Sequence, residues 1–247
     1  MEKTTTKVFI TRSLIELLII VAGVLLALAA DDWWTEREER IEEAEILRAI
    51  NEDLDSTTEQ LQNSITRHTQ VIDNIQTLSG GSLGSARDLE SDAFQTTLWN
   101  ALWDTPGFRV QMSAYEEIKH SGRMRLLRDP GLRRALATFD RLHQRAIASK
   151  DDAFQHQTSK LDPYLIEHYQ LSQLALISVR DFEGAIPLEE LPVTLDHAAM
   201  IDDRLFQNMI RSKYILVLGA NRTLRELQET VTELKSLVQQ RLDTLEN

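Results

Sequence analysis

Nine lysine and arginine side chains lie between Lys119 and Lys150, against only two carboxylates, Asp129 and Asp140. Five of them form an arginine cluster around the helix start that Asp129 and Pro130 predict: Arg123, Arg125, Arg128, Arg133 and Arg134. A helix start has free backbone N–H groups and the positive end of the helix dipole, and both favour anions. The cluster therefore predicts a binding site for a phosphate, a carboxylate or a lipid headgroup.

The opposite charge is concentrated near the N-terminus. Twelve Asp and Glu residues lie between Asp31 and Glu59, against Arg37, Arg40 and Arg48. If the third long helix packs against the first, these two segments pair their charges along the contact, and each exposed pair is worth only ~0–1 kcal/mol. The sequence leaves both interpretations open, an anion site or a set of ion pairs.

Signatures of catalysis are absent from the sequence. The chain has no cysteine, and its six histidines show no metal-ligand spacing: His68, His120, His143, His156, His168 and His197. Residues 80–84 match Gly-x-Ser-x-Gly, but a nucleophile elbow needs a preceding strand, whereas a helical pattern precedes this match. We therefore predict that the chain is not an enzyme and has no metal or cofactor.

Composition indicates an all-α protein. The 247 residues include only 9 Gly and 5 Pro, and good helix formers dominate. The net charge of −12 disfavours nucleic acid as a partner, because phosphate contacts need a basic surface. We predict an N-terminal transmembrane helix continuous with an elongated, roughly four-helix bundle that resembles a coiled coil. The first helix is its spine, and the later helices pack along it.

An apolar segment lies near the start of the chain, at residues 14–34, and is called the anchor segment below. Every residue from Leu17 to Ala30 is apolar or Gly, and residues 14–34 supply the ~20 residues that a membrane span requires. Trp33 and Trp34 follow, where aromatic side chains lie at a membrane–water interface. We predict a cytoplasmic tail at 1–13, a transmembrane helix at 14–34 in the lipid bilayer, and a helical extracytoplasmic domain at 35–247.

The orientation follows from the positive charges beside the anchor segment. Lys3, Lys7 and Arg12 precede it, whereas Arg37 and Arg40 follow it, which places the N-terminus in the cytoplasm. A cleaved signal peptide is the alternative, since the run from Ala27 to Ala30 has the small residues of a cleavage site. The helical pattern continues past that site and favours the anchor.

Within the anchor segment, five residues share one helix face at spacings of four and three: Glu16, Ile20, Gly23, Ala27 and Ala30. Small side chains at this spacing let membrane helices approach closely. This small-residue face predicts a homo-oligomer or a membrane-protein partner. Alternatively, Glu16 lies near the interface beside Arg12 and extends its carboxyl group to water.

The remaining helices are marked by apolar repeats and breakers. A long amphipathic helix ends in the Gly/Ser turn at 79–85, and a second helix covers Leu89 to Trp103. The later helices are expected at three places: Ser113 to His120 with a capping box to Glu116, Pro130 past Phe154 with a kink near Pro163, and Met200 to Leu245. An acidic loop at 176–196 separates the last two.

Two blocks of sequence carry a family resemblance. The first runs from Val21 through Asp32-Trp33-Trp34 to Leu54, and the second from Tyr115 to Leu136. They resemble a family of single-span bacterial inner-membrane proteins of uncharacterised function, with an Asn/Asp-Trp junction after the anchor. The resemblance implies a bacterial inner-membrane location and a helical periplasmic domain, and it implies no activity.

Two hypotheses for function follow. The first is a membrane-anchored helical scaffold or interaction protein that oligomerises or binds a partner through its helices. The second is a sensor or binding module for an anionic ligand at the arginine cluster.

Overall fold

The computed structural model describes residues 2–80, 86–104, 108, 110, 112–169, 171 and 195–246, with side chains described from Leu18 onward. The described residues form helices and contain no strand, which confirms the all-α prediction. The helices are α1 (Glu2–Leu78), α2 (Ser91–Leu102), α3 (Ser113–His120), α4 (Pro130–His156), α5 (Asp162–His168), α6 (His197–Asp202) and α7 (Arg204–Glu246). The predicted acidic loop and residues 81–85 lie outside the described residues, apart from Leu195 and Asp196.

Helix α1 has 77 residues and continues from the anchor segment into the bundle without a break. At 1.5 Å per residue it is roughly 115 Å long. It begins at Glu2, so the predicted tail is helical, and it ends where Gly80 takes a φ of 76° that favours glycine. The predicted continuity of the anchor with the first bundle helix is therefore confirmed.

Helix α7 packs antiparallel along α1 in a regular register. Four polar pairs repeat every seven residues along both helices: Asp55 with Lys235 at 2.5 Å, Gln62 with Gln228 at 2.9 Å, Thr69 with Asn221 at 3.4 Å, and Gln76 with Tyr214 at 3.0 Å. These pairs border the apolar stripes that bury the two helices against each other. The apolar repeat of the last predicted helix thus forms the long contact with α1.

Two apolar cores follow one another along the bundle. The proximal core, nearer the anchor segment, combines α1 from Ala44 to Ile65 with α3, the first half of α4 and the second half of α7. The distal core combines the end of α1 with α2, α5, α6 and the first half of α7. Both cores lie beyond Trp34, so the anchor segment contributes to neither.

Helix α4 packs along α7, whereas we expected it against α1. Contacts of Arg145 with Glu226 at 3.5 Å and of His156 Nε2 with the Met209 carbonyl at 3.0 Å mark this interface. Phe154, expected in the apolar stripe of this helix, is 57% exposed. The apolar stripe of α4 therefore follows α7 and not α1.

Local signals at the helix ends were partly right. Asp129 accepts the N–H groups of Gly131 at 2.6 Å and Leu132 at 2.9 Å, as the Asp-Pro pair predicts. The predicted capping box of α3 is wrong, because Ser113 is already helical and the Ala114 N–H instead donates to Asp53 Oδ2 on α1 at 2.8 Å. A carboxylate from another helix replaces the local cap.

Two helix breaks remain. The predicted break at Pro163 is confirmed, because the chain restarts after the π-helical turn Gln157–Leu161 as α5, with the proline in its first turn. The predicted helix from Met200 to Leu245 is interrupted at Asp203, whose Oδ1 accepts the N–H of Leu205 at 2.7 Å and starts α7. An aspartate that caps a new helix ends the preceding one.

Candidate functional site

The arginine cluster divides into two groups. Gly122, with a φ of 72°, turns the chain after α3 and directs the following residues toward α1. Arg123 then pairs with Glu42, and Arg128 Nη2 lies 2.6 Å from Glu39 Oε2 and its Nη1 3.7 Å from Glu36 Oε1. These two arginines form ion pairs with the acidic part of α1.

The other three members of the cluster are Arg125, Arg133 and Arg134, and their side chains are exposed. None of them forms an ion pair within the described part of the chain. The first free N–H groups of α4, which would favour an anion, already donate to Asp129. The geometry thus pairs Arg123 and Arg128 across the α1 contact and leaves the remaining arginines at the surface.

A buried ion pair that the sequence analysis missed lies beside this contact. Glu43 on α1 is fully buried, and Arg241 on α7 donates to it twice, Nε to Oε1 at 3.0 Å and Nη2 to Oε2 at 2.7 Å. The backbone N–H of Arg128 adds a third hydrogen bond at 3.1 Å. The hydrogen bond to Glu43 raises the pKa of Arg241.

The burial of Glu43 was indicated in the sequence by its position relative to the apolar residues of α1. It lies four residues before Leu47 on the same helix face as Ile50 and Leu54, all of them buried. The many acidic residues of α1 predict a solvated helix face, and at Glu43 this prediction is wrong. A charged residue on an apolar stripe predicts a buried partner.

A groove of about 490 Å³ opens where α1 leaves the anchor segment. Its lining includes Trp33, Arg37, Arg40 and Ile41 from α1, and Leu245 and Glu246 from the end of α7. The Arg37 guanidinium lies over the Trp33 ring, 5.8 Å from the ring centroid. Hereafter this is the Trp33 groove, and of its lining only the tryptophan was predicted from the sequence.

Trp33 and Trp34 both stand exposed at the predicted interface, 59% and 58% respectively. Trp34 Nε1–H donates to Glu38 Oε1 at 2.8 Å, so its polar edge points along α1 toward the bundle. An apolar ring with a satisfied polar edge suits a membrane–water interface.

A buried lysine lies in the distal half of the bundle. Lys213 on α7 is 3% exposed and donates to the Leu102 carbonyl at the end of α2 and to Gln157 Oε1 in the π-helical turn, at 2.8 Å for the latter. Burial lowers the pKa of Lys213 to about 7. A small cavity of about 20 Å³ adjoins it, lined in part by His68 and Asp104.

Lys213 connects three structural elements through its hydrogen bonds. Its two acceptors come from different elements, so one ammonium group connects α7 to the end of α2 and to the π-helical turn. His68 nearby is also buried, with Nδ1 2.8 Å from the Ser64 carbonyl, and burial lowers the pKa of His68. Lys213 follows Phe206 and Ile210 on the buried face of α7, which was again the available signal.

The small-residue face of the anchor segment has no neighbour among the described residues. Ile20, Gly23, Ala27 and Ala30 are exposed, and a Cβ added to Gly23 would meet nothing within 4 Å. The large apolar side chains of the anchor segment between Leu18 and Leu28 are 45–72% exposed. The side chain of Glu16 lies outside the described residues.

The described residues contain one helix that is long and apolar enough to cross a membrane, and it is α1. In the same part of the chain, no three His, Asp or Glu side chains are grouped to hold a metal ion. Only Gly80 of the Gly-x-Ser-x-Gly match is described. The anchor segment and the Trp33 groove are therefore the features that the function must explain.

Comparison with protein-family models, with curated proteins and with solved structures gives no match to this chain. The resemblance to single-span bacterial inner-membrane proteins thus stays a prediction. Function has to be argued from the geometry alone.

Proposed function

We propose that this chain is a membrane-anchored helical scaffold that self-associates through its anchor segment and holds its bundle at the membrane surface. The observation that carries the proposal is the contrast between the two parts of α1. Its apolar residues from Leu18 to Leu28 contact no other part of the described chain, whereas its continuation supplies both cores. An apolar surface of this extent marks a membrane or protein contact.

Lipid is the partner that suits the length of this surface. The apolar run followed by two exposed tryptophans has the length of a bilayer's hydrocarbon layer and ends in interfacial side chains. In this proposal the membrane is a bacterial inner membrane, with Lys3, Lys7 and Arg12 on the cytoplasmic side and the bundle in the periplasm. The chain then acts by binding partners and not by catalysis, and nucleic acid is not among them.

Because α1 is continuous, the position of the anchor segment in the membrane is coupled to the position of the bundle outside it. One uninterrupted helix joins the anchor segment to the bundle, so the arrangement of anchors in the membrane fixes the spacing of the bundles outside it. In lipid the hydrophobic effect does not drive helices together, and close van der Waals approach over small residues has to do so. Gly23 and Ala27 supply that close approach on one face.

Substitution of Gly23 tests this assembly. Gly23→Ile should strongly reduce cross-linked oligomer in membranes, because the added side chain keeps the two helices apart. Val24→Ile is the matched control: Val24 is also exposed, lies 100° around the helix, and its enlargement should leave the oligomer unchanged. Cross-linking of the full chain in native membranes, read on denaturing gels, measures both.

Oligomerisation of residues 35–247 alone is the result that would contradict the proposal. They contain both apolar cores but lack the anchor segment. If they oligomerise as well as the full chain does, the interface lies in the bundle and the role given to Gly23 is wrong.

A further inference from the structure

The Trp33 groove lies between two helices, at the level where the anchor segment ends. Helix α1 forms one wall, and the last turn of α7 at Leu245 and Glu246 forms the other. Its volume of about 490 Å³ falls within the ~300–1,000 Å³ typical of ligand pockets. The groove therefore has room for a small polar group and part of an attached chain.

The arginines that line the groove differ in whether they have a carboxylate partner. Arg40 pairs with Glu36 at 2.8 Å, and Arg48 pairs with Glu246 at 2.9 Å. Arg37 has no carboxylate partner among the described residues and is held only over the face of Trp33. Stacking on an aromatic ring leaves the in-plane N–H groups of a guanidinium free, and these match two phosphate oxygens at once.

The depth of Arg37 agrees with a phosphate ligand. Arg37 lies four residues beyond Trp33 on a continuous helix, a rise of about 6 Å. The headgroup layer on each side of a bilayer is roughly 5–7 Å thick, so an interfacial Trp33 places Arg37 among the lipid phosphates. Trp33 and Ile41, 52% exposed, provide apolar surface beside it.

Carboxylates at the groove discriminate between headgroups. Glu36 faces Arg40 and Arg128, and Glu246 faces Arg48, but each carboxylate retains capacity for further hydrogen bonds because it has about four lone-pair sites. They would repel a second anionic group and attract an ammonium. A headgroup with one phosphate and one primary ammonium satisfies both the arginine and the glutamates.

We propose that the Trp33 groove binds the headgroup of a phosphoethanolamine phospholipid, with its phosphate on Arg37 and its ammonium toward Glu36 and Glu246. The inference rests on the proposed function, since the groove meets lipid only when the anchor segment spans the bilayer. Binding at this point fixes the height and tilt of α1 relative to the membrane.

Lipid retention by the full chain tests the groove. The chain is reconstituted in bilayer nanodiscs, extracted into mild detergent, and titrated with phosphatidylethanolamine while native mass spectrometry counts bound lipid. Arg37→Gln should weaken this binding about tenfold, the loss expected of one bidentate charge-assisted contact. Arg211→Gln, another exposed arginine, which lies on α7 outside both the groove and the arginine cluster, should bind lipid as the unsubstituted chain does.

Three results would overturn the assignment. Equal lipid binding by Arg37→Gln and Arg211→Gln, in chains that both insert into the nanodiscs, contradicts the groove and leaves the anchor intact. Displacement of the lipid by inorganic phosphate at equal concentration contradicts the choice of a lipid headgroup. Failure of the unsubstituted chain to insert contradicts both the anchor and the groove.

Discussion

Arg241→Leu should destabilise the bundle by about 3–5 kcal/mol, because it leaves the carboxylate of Glu43 buried without its counter-ion. Glu43 is fully buried in the proximal core, and Arg241 supplies two of its three hydrogen bonds. The remaining donor, the backbone N–H of Arg128, does not neutralise the charge. Urea unfolding of the full chain in mild detergent, followed by circular dichroism, measures the change.

Arg48→Leu is the matched control. Arg48 also connects α1 to α7, through Glu246 at 2.9 Å, but both side chains are more than half exposed. Such a pair contributes about 0–1 kcal/mol, so its loss should scarcely shift the unfolding midpoint. Equal losses from Arg241→Leu and Arg48→Leu would show that burial of Glu43 has no energetic consequence.

A double variant separates the effect of the buried charge from the effect of side-chain packing on stability. Glu43→Leu combined with Arg241→Leu replaces the buried pair by apolar side chains and should recover most of the stability lost in Arg241→Leu alone. A double variant as unstable as the single one would instead assign the loss to packing of the Arg241 side chain.

The second large effect is a dependence of stability on pH that originates at Lys213. Its pKa is about 7 in the folded chain, against 10.5 for a lysine in water. Between these values the unfolded chain binds a proton that the folded chain does not, so the free energy of unfolding rises with pH. Below pH 7 the folded chain carries the full cost of a buried charge.

The expected rise is about 2–3 kcal/mol between pH 7 and pH 9, from at most ~1.4 kcal/mol per pH unit for one proton. Asp162 and Asp104 face Lys213, and their charges counteract part of the effect of its desolvation. Lys213→Met removes the titrating group and should flatten the curve. Urea unfolding at several pH values measures it.

Lys235→Met serves as the control for this titration. Lys235 lies on the same helix and pairs with Asp55 at 2.5 Å, but its side chain is 36% exposed. Its removal should leave the rise between pH 7 and pH 9 intact. Parallel curves for the unsubstituted chain and Lys213→Met would contradict a desolvated lysine in the fold.

Sequence alone predicted the features that depend on local chemistry. The uninterrupted helix from the anchor segment to Leu78 follows from the lack of Gly and Pro between Val24 and Leu78, and the start of α4 follows from Asp129 and Pro130. The apolar stripes of α1 and α7 were also visible, because periodicity records which face is buried. These features need no knowledge of a neighbouring helix.

What could not be predicted depends on which helices meet. Asp53 caps α3 from another helix, and α4 packs on α7 because of how the chain turns after α3. Glu43 and Lys213 each lie on an apolar stripe, but only the neighbouring helices show which groups they meet there. The Trp33 groove likewise exists only because α7 ends beside α1.

The same distinction applies to the arginine cluster. Its composition was plain in the sequence, but the choice between an anion site and ion pairs required the positions of the glutamates on α1. Arg123 and Arg128 reach those glutamates, whereas Arg125 remains exposed. The contact with the glutamates of α1 thus divides a cluster that was defined by sequence spacing.

The central claim is that residues 14–34 of α1 span a membrane, and the lack of cysteine in this chain allows a direct test. Single substitutions Ser13→Cys, Leu25→Cys and Glu45→Cys are treated in intact cells with a maleimide that does not cross membranes. We predict that Glu45→Cys is labelled at once, Ser13→Cys only after the cells are opened, and Leu25→Cys only after detergent is added. Labelling of Leu25→Cys as fast as Glu45→Cys in intact membranes, or recovery of a chain that begins at Ala30, would contradict the membrane anchor.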